Sequence, residues 1–256
     1  MNNDRLVTLR FEGNIALVSL NRPERHNALV PALLSRLLQV LARQDCQAAP
    51  VVILRAEGPS FSTGGDLSGF QNHKATIGTY ARELVGQLNQ VILAMYSHPA
   101  AIVCAVHGQV TGGSLGFLLA ADHVIMRRGV TITPYYSVVG FSPDGGWTAL
   151  LPDIIGHKQT MNWLVSNASH DADSCLALGL VQEVVEEDCE ASALAWARSV
   201  ADPGTGGITR TSKSLNISTE VLRQRLETER DNFVDQIQTL HAQDGIEKYL
   251  RRKEHV

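Results

Sequence analysis

Gly108-Gln109-Val110-Thr111-Gly112-Gly113-Ser114-Leu115-Gly116 is the stretch whose reading decides the fold. Residues 101–106 before it are uniformly apolar and residues 114–121 are apolar again, so the segment reads as buried strand, glycine-rich turn, buried helix. Glycine lacks the Cβ that would hold a ligand away from the backbone. A helix beginning at Gly113 also leaves its first N–H groups unpaired at the positive end of the aligned peptide dipoles, a place suited to an oxygen gathering negative charge. A second turn of this kind, Phe61-Ser62-Thr63-Gly64-Gly65-Asp66-Leu67, comes earlier in the chain. Either Gly-Gly pair alone more often serves a tight turn or close packing. Together they can grip one oxygen. Neither turn ends in Gly-Lys-Ser/Thr and neither carries G-x-G-x-x-G, which removes the phosphate-loop and dinucleotide readings.

Upstream, residues 6–11 and 15–20 flank the turn dipeptide Gly13-Asn14 and predict a β-hairpin. Pro31 opens a helix over 31–41, where Leu33, Leu34, Leu37, Leu38 and Leu41 recur at helical spacing. A buried strand follows at 51–54 and a Gly/Ser-rich loop at 57–69. A long helix then carries the stripe Leu84, Leu88, Val91, Ile92 and Met95, and Pro99 closes it. Downstream, short strands are expected at 124–126 and 130–132. The turn Ser142-Pro143-Asp144-Gly145-Gly146 then leads into a helix at Trp147. Helices dominate beyond it, apart from a strand at 180–185. The segment 202–207 (DPGTGG) is the best boundary, dividing a core of 1–201 from a helical region of 202–256. Repetition is limited to a faint strand-strand-helix rhythm.

With 256 residues, 44% hydrophobic and 19% charged, and a mean hydropathy of -0.03, the chain has the make-up of one large soluble α/β domain. A net charge of -4 and a pI near 6.1 give no global attraction to nucleic acid or an anionic membrane, so an anionic ligand must be met by local cations. Cys46, Cys104, Cys175 and Cys189 are scattered, with no C-x-x-C pair and no metal-ligand spacing. Free thiols, a reducing cytoplasm and no metal are the expectation. The opening MNNDRLVTLRFEG has neither the basic nor the apolar region of a secretory signal. No apolar run reaches the roughly 18 residues of a membrane span.

Five ordered motifs resemble the crotonase superfamily, the enoyl-CoA hydratase/isomerase family, over nearly the whole chain. They are Leu20-Asn21-Arg22-Pro23-Glu24-Arg25-His26-Asn27-Ala28-Leu29, the turn from Phe61 to Leu67, the run from Ala105 to Asp122, Ser142-Pro143-Asp144-Gly145-Gly146-Trp147, and Leu151-Pro152 with Ile155-Gly156. The resemblance implies an α/β crotonase-like spiral of strand-strand-helix units with a C-terminal helical oligomerisation region, assembled as a homotrimer or homohexamer. It implies an acyl-CoA thioester as substrate, whose oxygen is held by the N–H groups of Gly65 and Gly113. Coenzyme A is then part of the substrate and no separate cofactor is expected. It places Arg22, Arg25, Tyr249 and Arg252 near the nucleotide end of CoA. Tyr135, Tyr136, Phe141 and Trp147 are candidates to line a pocket for a bulky or cyclic acyl group, although each could equally pack in the core.

One departure from the family pattern bears on the reaction. Hydratases of this family use two glutamates, and those positions fall on Gly116 and Tyr136. Asp144 is the acidic residue left in a matching place. Pro-Asp-Gly is also a strong turn signal by itself, so Asp144 could simply shape the chain. An isomerase needs one base to take a proton beside the thioester and return it further along, which makes double-bond migration the leading reading. Hydration is the nearest alternative. Hydrolytic or dehalogenating attack by a nucleophilic Asp144, and acyl-CoA binding without turnover, stay open. His107 in the oxyanion loop reads as loop-shaping, and His26, His73, His98 and His123 as ordinary polar residues.

Overall fold

A computed structural model describes residues 3–201 and 213–253. Its main sheet has six strands in the order β1-β2-β3-β4-β6-β9, namely β1 (Val7–Glu12), β2 (Ile15–Leu20), β3 (Val51–Ala56), β4 (Ala101–Val106), β6 (His123–Arg127) and β9 (Glu183–Val185). The first pair is the expected hairpin: Glu12 faces Ile15 across the two-residue turn, and Gly13 takes the left-handed conformation that turn requires, with φ of 62°. All other pairings in this sheet are parallel. Parallel strands are covered on both faces, which is why β2 and β4 are buried at every position and read as unbroken apolar runs.

One face of the sheet, including Val52, Leu54, Ile102, Cys104 and Val106, packs into the large core with α1 (Pro31–Leu41) and α4 (Ile77–Tyr96). The other, with Val51, Ile53, Val103, Ala105 and Ile125, packs on Ala193 and Ala197 of a helix at Cys189–Val200. In α1 the buried set is Leu33, Leu34, Leu37, Val40 and Leu41, so Val40 takes the place expected of Leu38. The whole stripe expected in α4 is buried. A three-stranded sheet of β5 (Gln109–Thr111), β7 (Thr131–Thr133) and β8 (His170–Asp171) lies beside the main one, and β4 runs directly into β5.

Three expectations need correction. The strand expected at 180–185 is confined to β9, because Leu180 and Val181 instead turn back and donate to the Cys175 carbonyl. The helix expected from Gly113 begins as a 3₁₀ turn, Gly112–Ser114, before α5 (Leu115–Leu119). No regular helix starts at Trp147. Gly145 and Gly146 have φ of 67° and 90°, conformations no helix propagates, and the next helix is Leu151–Ile155. The proposed boundary at 202–207 lies outside the described residues. Beyond it, α11 (Thr219–Ile237) packs along α4, and Asn89 Nδ2 donates to the Leu226 carbonyl at 2.9 Å. A last helix, α12, spans Leu240–Lys253.

Candidate active site

The two glycine turns are stitched to each other. Ser62 and Val110 form a parallel bridge: Ser62 N–H donates to the Gln109 carbonyl and Thr111 N–H to the Ser62 carbonyl, each at 3.2 Å. Ser114 Oγ sits 2.7 Å from the Thr111 carbonyl and 3.0 Å from that of Ser62. Gly64, at φ of 71°, lies so close that a Cβ would stand 2.6 Å from the Thr111 carbonyl oxygen. His107 has the loop-shaping part expected of it, with Nε2 2.7 Å from the Gly58 carbonyl.

This stitching decides where the backbone points. Leu29 bonds to the residues on either side of Gly65, donating to the Gly64 carbonyl at 2.7 Å and accepting from Asp66 N–H at 3.0 Å. In a parallel bridge the residue between those two directs its own N–H away from the partner strand, and Gly65 lines the cavity. Gly113 is the second residue of the 3₁₀ turn, a position with no intrahelical acceptor, and it lines the same cavity. Among the described residues neither N–H has a hydrogen-bond partner.

The cavity encloses about 530 Å³ of atom-free space, solvent mouth included. Six aromatic side chains line it: Phe70, Tyr135, Tyr136, Phe141, Phe233 and Tyr249. Phe141 meets Phe70 and Phe233 edge-on at centroid distances of 5.9 and 5.3 Å. Tyr135, Tyr249, Thr63, Gly65 and Thr111 are shared with a polar groove that continues past Arg25, Asp66 and Ser68. The molecule thus offers an apolar chamber, a pair of free amides and a polar approach.

Asp144 is the one carboxylate among the described residues lining the chamber. It is 8% exposed, and a Cβ added to Gly113 would stand 2.8 and 2.9 Å from its two carboxylate oxygens. Tyr136 donates its hydroxyl to Asp144 Oδ1 at 2.6 Å, while Oδ2 has no hydrogen bond among the described residues. Burial is the main reason the Asp144 carboxyl is pushed up to about 7; the Tyr136 hydrogen bond opposes the rise and the charge of Glu229 adds to it. Such an acid is half ionised near neutrality, suited to both taking and returning a proton.

The remaining expected site residues divide. Tyr135, Tyr136, Phe141 and Tyr249 come together around the chamber, and Arg25 lines the groove. Arg22 turns to Asp66 at 2.9 Å and to the Ala28 carbonyl at 3.0 Å, and Trp147 is fully buried behind the second turn, donating Nε1–H to the Gly112 carbonyl at 2.8 Å. These two support the turns from outside the chamber. The side chain of Arg252 lies outside the described residues. Sequence reasoning missed Phe70 and Phe233, which look like ordinary core, and Glu229, which looks like the solvent face of a helix. It also missed that Asp66 would be held by Arg22 and Arg25 beside Gly65.

A spiral of parallel strands whose tight turns bring two free amides to one apolar chamber is the crotonase architecture. The enoyl-CoA hydratase of Bacillus halodurans has the same fold, with a TM-score of 0.87 at 26% identity over 95% of this chain and 99% of that one. Residues 10–256 match the family described as enoyl-CoA hydratase/isomerase, and the chain belongs to that family of acyl-CoA-processing enzymes. Two relatives carry different chemistry in their names. The 4-chlorobenzoyl coenzyme A dehalogenase-2 of an Arthrobacter species is 28% identical over 195 residues, 73% of this chain and 68% of the relative. The 1,2-epoxyphenylacetyl-CoA isomerase of Escherichia coli K12 is 26% identical over 257 residues, 96% of each.

Proposed function

We propose that this protein isomerises an enoyl-CoA by moving its double bond, with the N–H groups of Gly65 and Gly113 holding the thioester oxygen and Asp144 carrying the proton. The observation that carries the reading is Asp144, the single carboxylate among the described residues that lines the chamber, placed against Gly113. Asp144 Oδ2 removes a proton from the carbon beside the thioester, the electron pair moves onto the carbonyl oxygen, and the two amides stabilise the charge formed there. The same proton returns two carbons further along. Nothing is gained or lost. Tyr136 steadies Oδ1 throughout, leaving Oδ2 as the working oxygen.

Hydratases of the family use two glutamates to handle water, and the resemblance puts them at residues 116 and 136. At Gly116 a Cβ would stand 2.5 Å from the Gly145 carbonyl oxygen and 2.6 Å from Ile92, so no side chain fits, and Tyr136 is engaged with Asp144. In the same reading Arg25, Tyr135 and Tyr249 meet the CoA portion along the groove, and the working form is a cytoplasmic trimer or hexamer.

Turnover of linear, branched and cyclic enoyl-CoA esters, followed by product mass and ultraviolet spectrum, tests the proposal. Isomerisation leaves the mass unchanged with the double bond moved; a gain of water makes the enzyme a hydratase instead. Label from heavy-oxygen water appearing in Asp144 itself would make that residue a nucleophile. Tight binding of CoA esters with no product from any of them would end the catalytic reading altogether.

A further inference from the structure

Glu229 is out of place by the ordinary logic of an amphipathic helix. It lies in the middle of α11, on the buried stripe otherwise made of Leu222, Leu226, Phe233, Val234 and Ile237, and it is 3% exposed. Buried carboxylates normally face a cation, because desolvating a charge costs several kcal/mol. Glu229 has no ion pair among the described residues. Arg225, one turn earlier, is held by Asp153 at 2.6 Å and the Ala149 carbonyl at 3.1 Å, and Arg230 beside it turns to Asp231 at 3.1 Å. Glu229 instead reaches into the turn that carries Asp144. Gly146 N–H donates to its Oε2 at 2.7 Å, and Thr148 donates both its N–H and its hydroxyl to Oε1 at 2.6 and 2.8 Å.

Those bonds have a local cause. With Gly145 and Gly146 both at positive φ, residues 144–148 form no helix that could pair these amides internally. The same turn presses on the oxyanion side: a Cβ on Gly145 would stand 2.5 Å from the Gly113 Cα. One carboxylate therefore sets the height of Asp144 above Gly113. A neutral glutamine could occupy the volume, but its NH₂ end cannot accept, so only the ionised acid satisfies all three donors.

We propose that Glu229 is a positioning residue for the reaction, anchoring the 144–148 turn so that Asp144 stays over Gly113 and, through its own uncompensated negative charge, keeping the Asp144 proton from being lost too early. Two carboxylates share one buried region, and the three donors on Glu229 against one on Asp144 direct the first ionisation to Glu229. Asp144 then titrates against a standing negative charge. The other titratable group facing the pair is Tyr136, whose hydroxyl is pushed well above its ordinary value chiefly by burial; burial also raises Glu229, and the Thr148 and Gly146 donors work against that rise.

This rests on the Asp144 reading for its consequence in catalysis, but its physical content is measurable without substrate. In the full-length protein, carbon-13 NMR of the Asp144 carboxyl gives its titration midpoint, and amide hydrogen exchange reports Gly146 and Thr148. For folded Glu229→Gln the midpoint falls by roughly 1–2 pH units and both amides exchange faster. For Glu229→Asp, which keeps the charge but shortens the reach, the midpoint stays near the wild-type value while exchange still quickens. Thr148→Val removes one donor without touching α11 and keeps the Glu229 charge, so the midpoint does not fall while Gly146 exchange quickens, which serves if the helix variants do not fold. An unchanged midpoint in Glu229→Gln, or unchanged Gly146 exchange in Thr148→Val should the helix variants not fold, overturns the proposal. Full turnover in Asp144→Asn beside the expected titration result would sink the isomerase reading and leave the Glu229 coupling standing.

Discussion

Two aspartates flank the chamber with nearly the same burial and opposite surroundings. Asp66 follows Gly65 and is 6% exposed; Asp144 faces Gly113 and is 8% exposed. Burial alone would raise both carboxyls. At Asp66 the guanidinium groups of Arg22 and Arg25, at 2.9 and 3.2 Å, outweigh burial and hold the carboxyl below its usual value. At Asp144 no cation answers the burial, which carries the carboxyl up to about 7 against the opposing Tyr136 hydrogen bond and with the Glu229 charge adding to it. Burial pushes both carboxyls up, and paired cations decide whether that push prevails: one becomes a fixed ion bracing a turn, the other a group able to exchange protons.

Replacing the proton-exchanging member breaks the comparison most severely. Asp144→Asn should lower isomerase turnover by roughly 100-fold to 10,000-fold, measured as initial rates, while CoA-ester binding is kept. The same variant should be more stable than wild type at neutral pH. Because the folded state of wild type retains the Asp144 proton up to about 7 while the unfolded chain releases it near 3.8, wild-type stability declines as pH rises across that window. Denaturant melts at several pH values should find that decline reduced in Asp144→Asn.

Asp66→Asn acts on stability first. It removes the partner of Arg22 and Arg25 and should cost about 1–3 kcal/mol near neutrality. The contribution of Asp66 is present above its unfolded value of 3.8 and is lost as pH falls through its lowered folded value, so wild type and variant should converge in acid. A gap that persists at the lowest pH would show the ion pair is not the source.

Tyr136→Phe makes the contrast sharper instead of erasing it. Without the hydroxyl at 2.6 Å, Asp144 holds its proton more tightly, so the acidic limb of kcat/KM should move to higher pH by about 1 unit, and activity should fall more below neutrality than above it. Trp147→Phe is expected to be the mildest, a few-fold loss in turnover as the Gly112 carbonyl loses its 2.8 Å support. Equal losses at every pH in both variants would merge two roles that differ here.

What could be read from residues alone follows the same division. Gly64-Gly65 and Gly112-Gly113 announce themselves because two such turns in one chain can serve one oxygen where either alone would only shape the backbone, and the apolar runs at 15–20 and 101–106 are legible because parallel strands are buried on both faces. Asp144 was visible as a residue but its behaviour was not, since that depends on a tyrosine eight positions away and on Glu229 in a distant helix. Glu229 itself is silent in sequence: a glutamate in a polar helix is ordinarily solvated, and only the fold turns it inward. Arg22 and Trp147 carried the right neighbourhood, but their contacts to Asp66 and the Gly112 carbonyl were not legible, because local motifs do not specify which way a long side chain leans.

Gly116 has a consequence for descent. Its Cα lies under the Gly145 carbonyl, in the turn that also abuts Gly113 and bears Asp144. A side chain at 116 would drive that turn off Gly113, so in descent a change at 116 would have to come with a rebuilt turn.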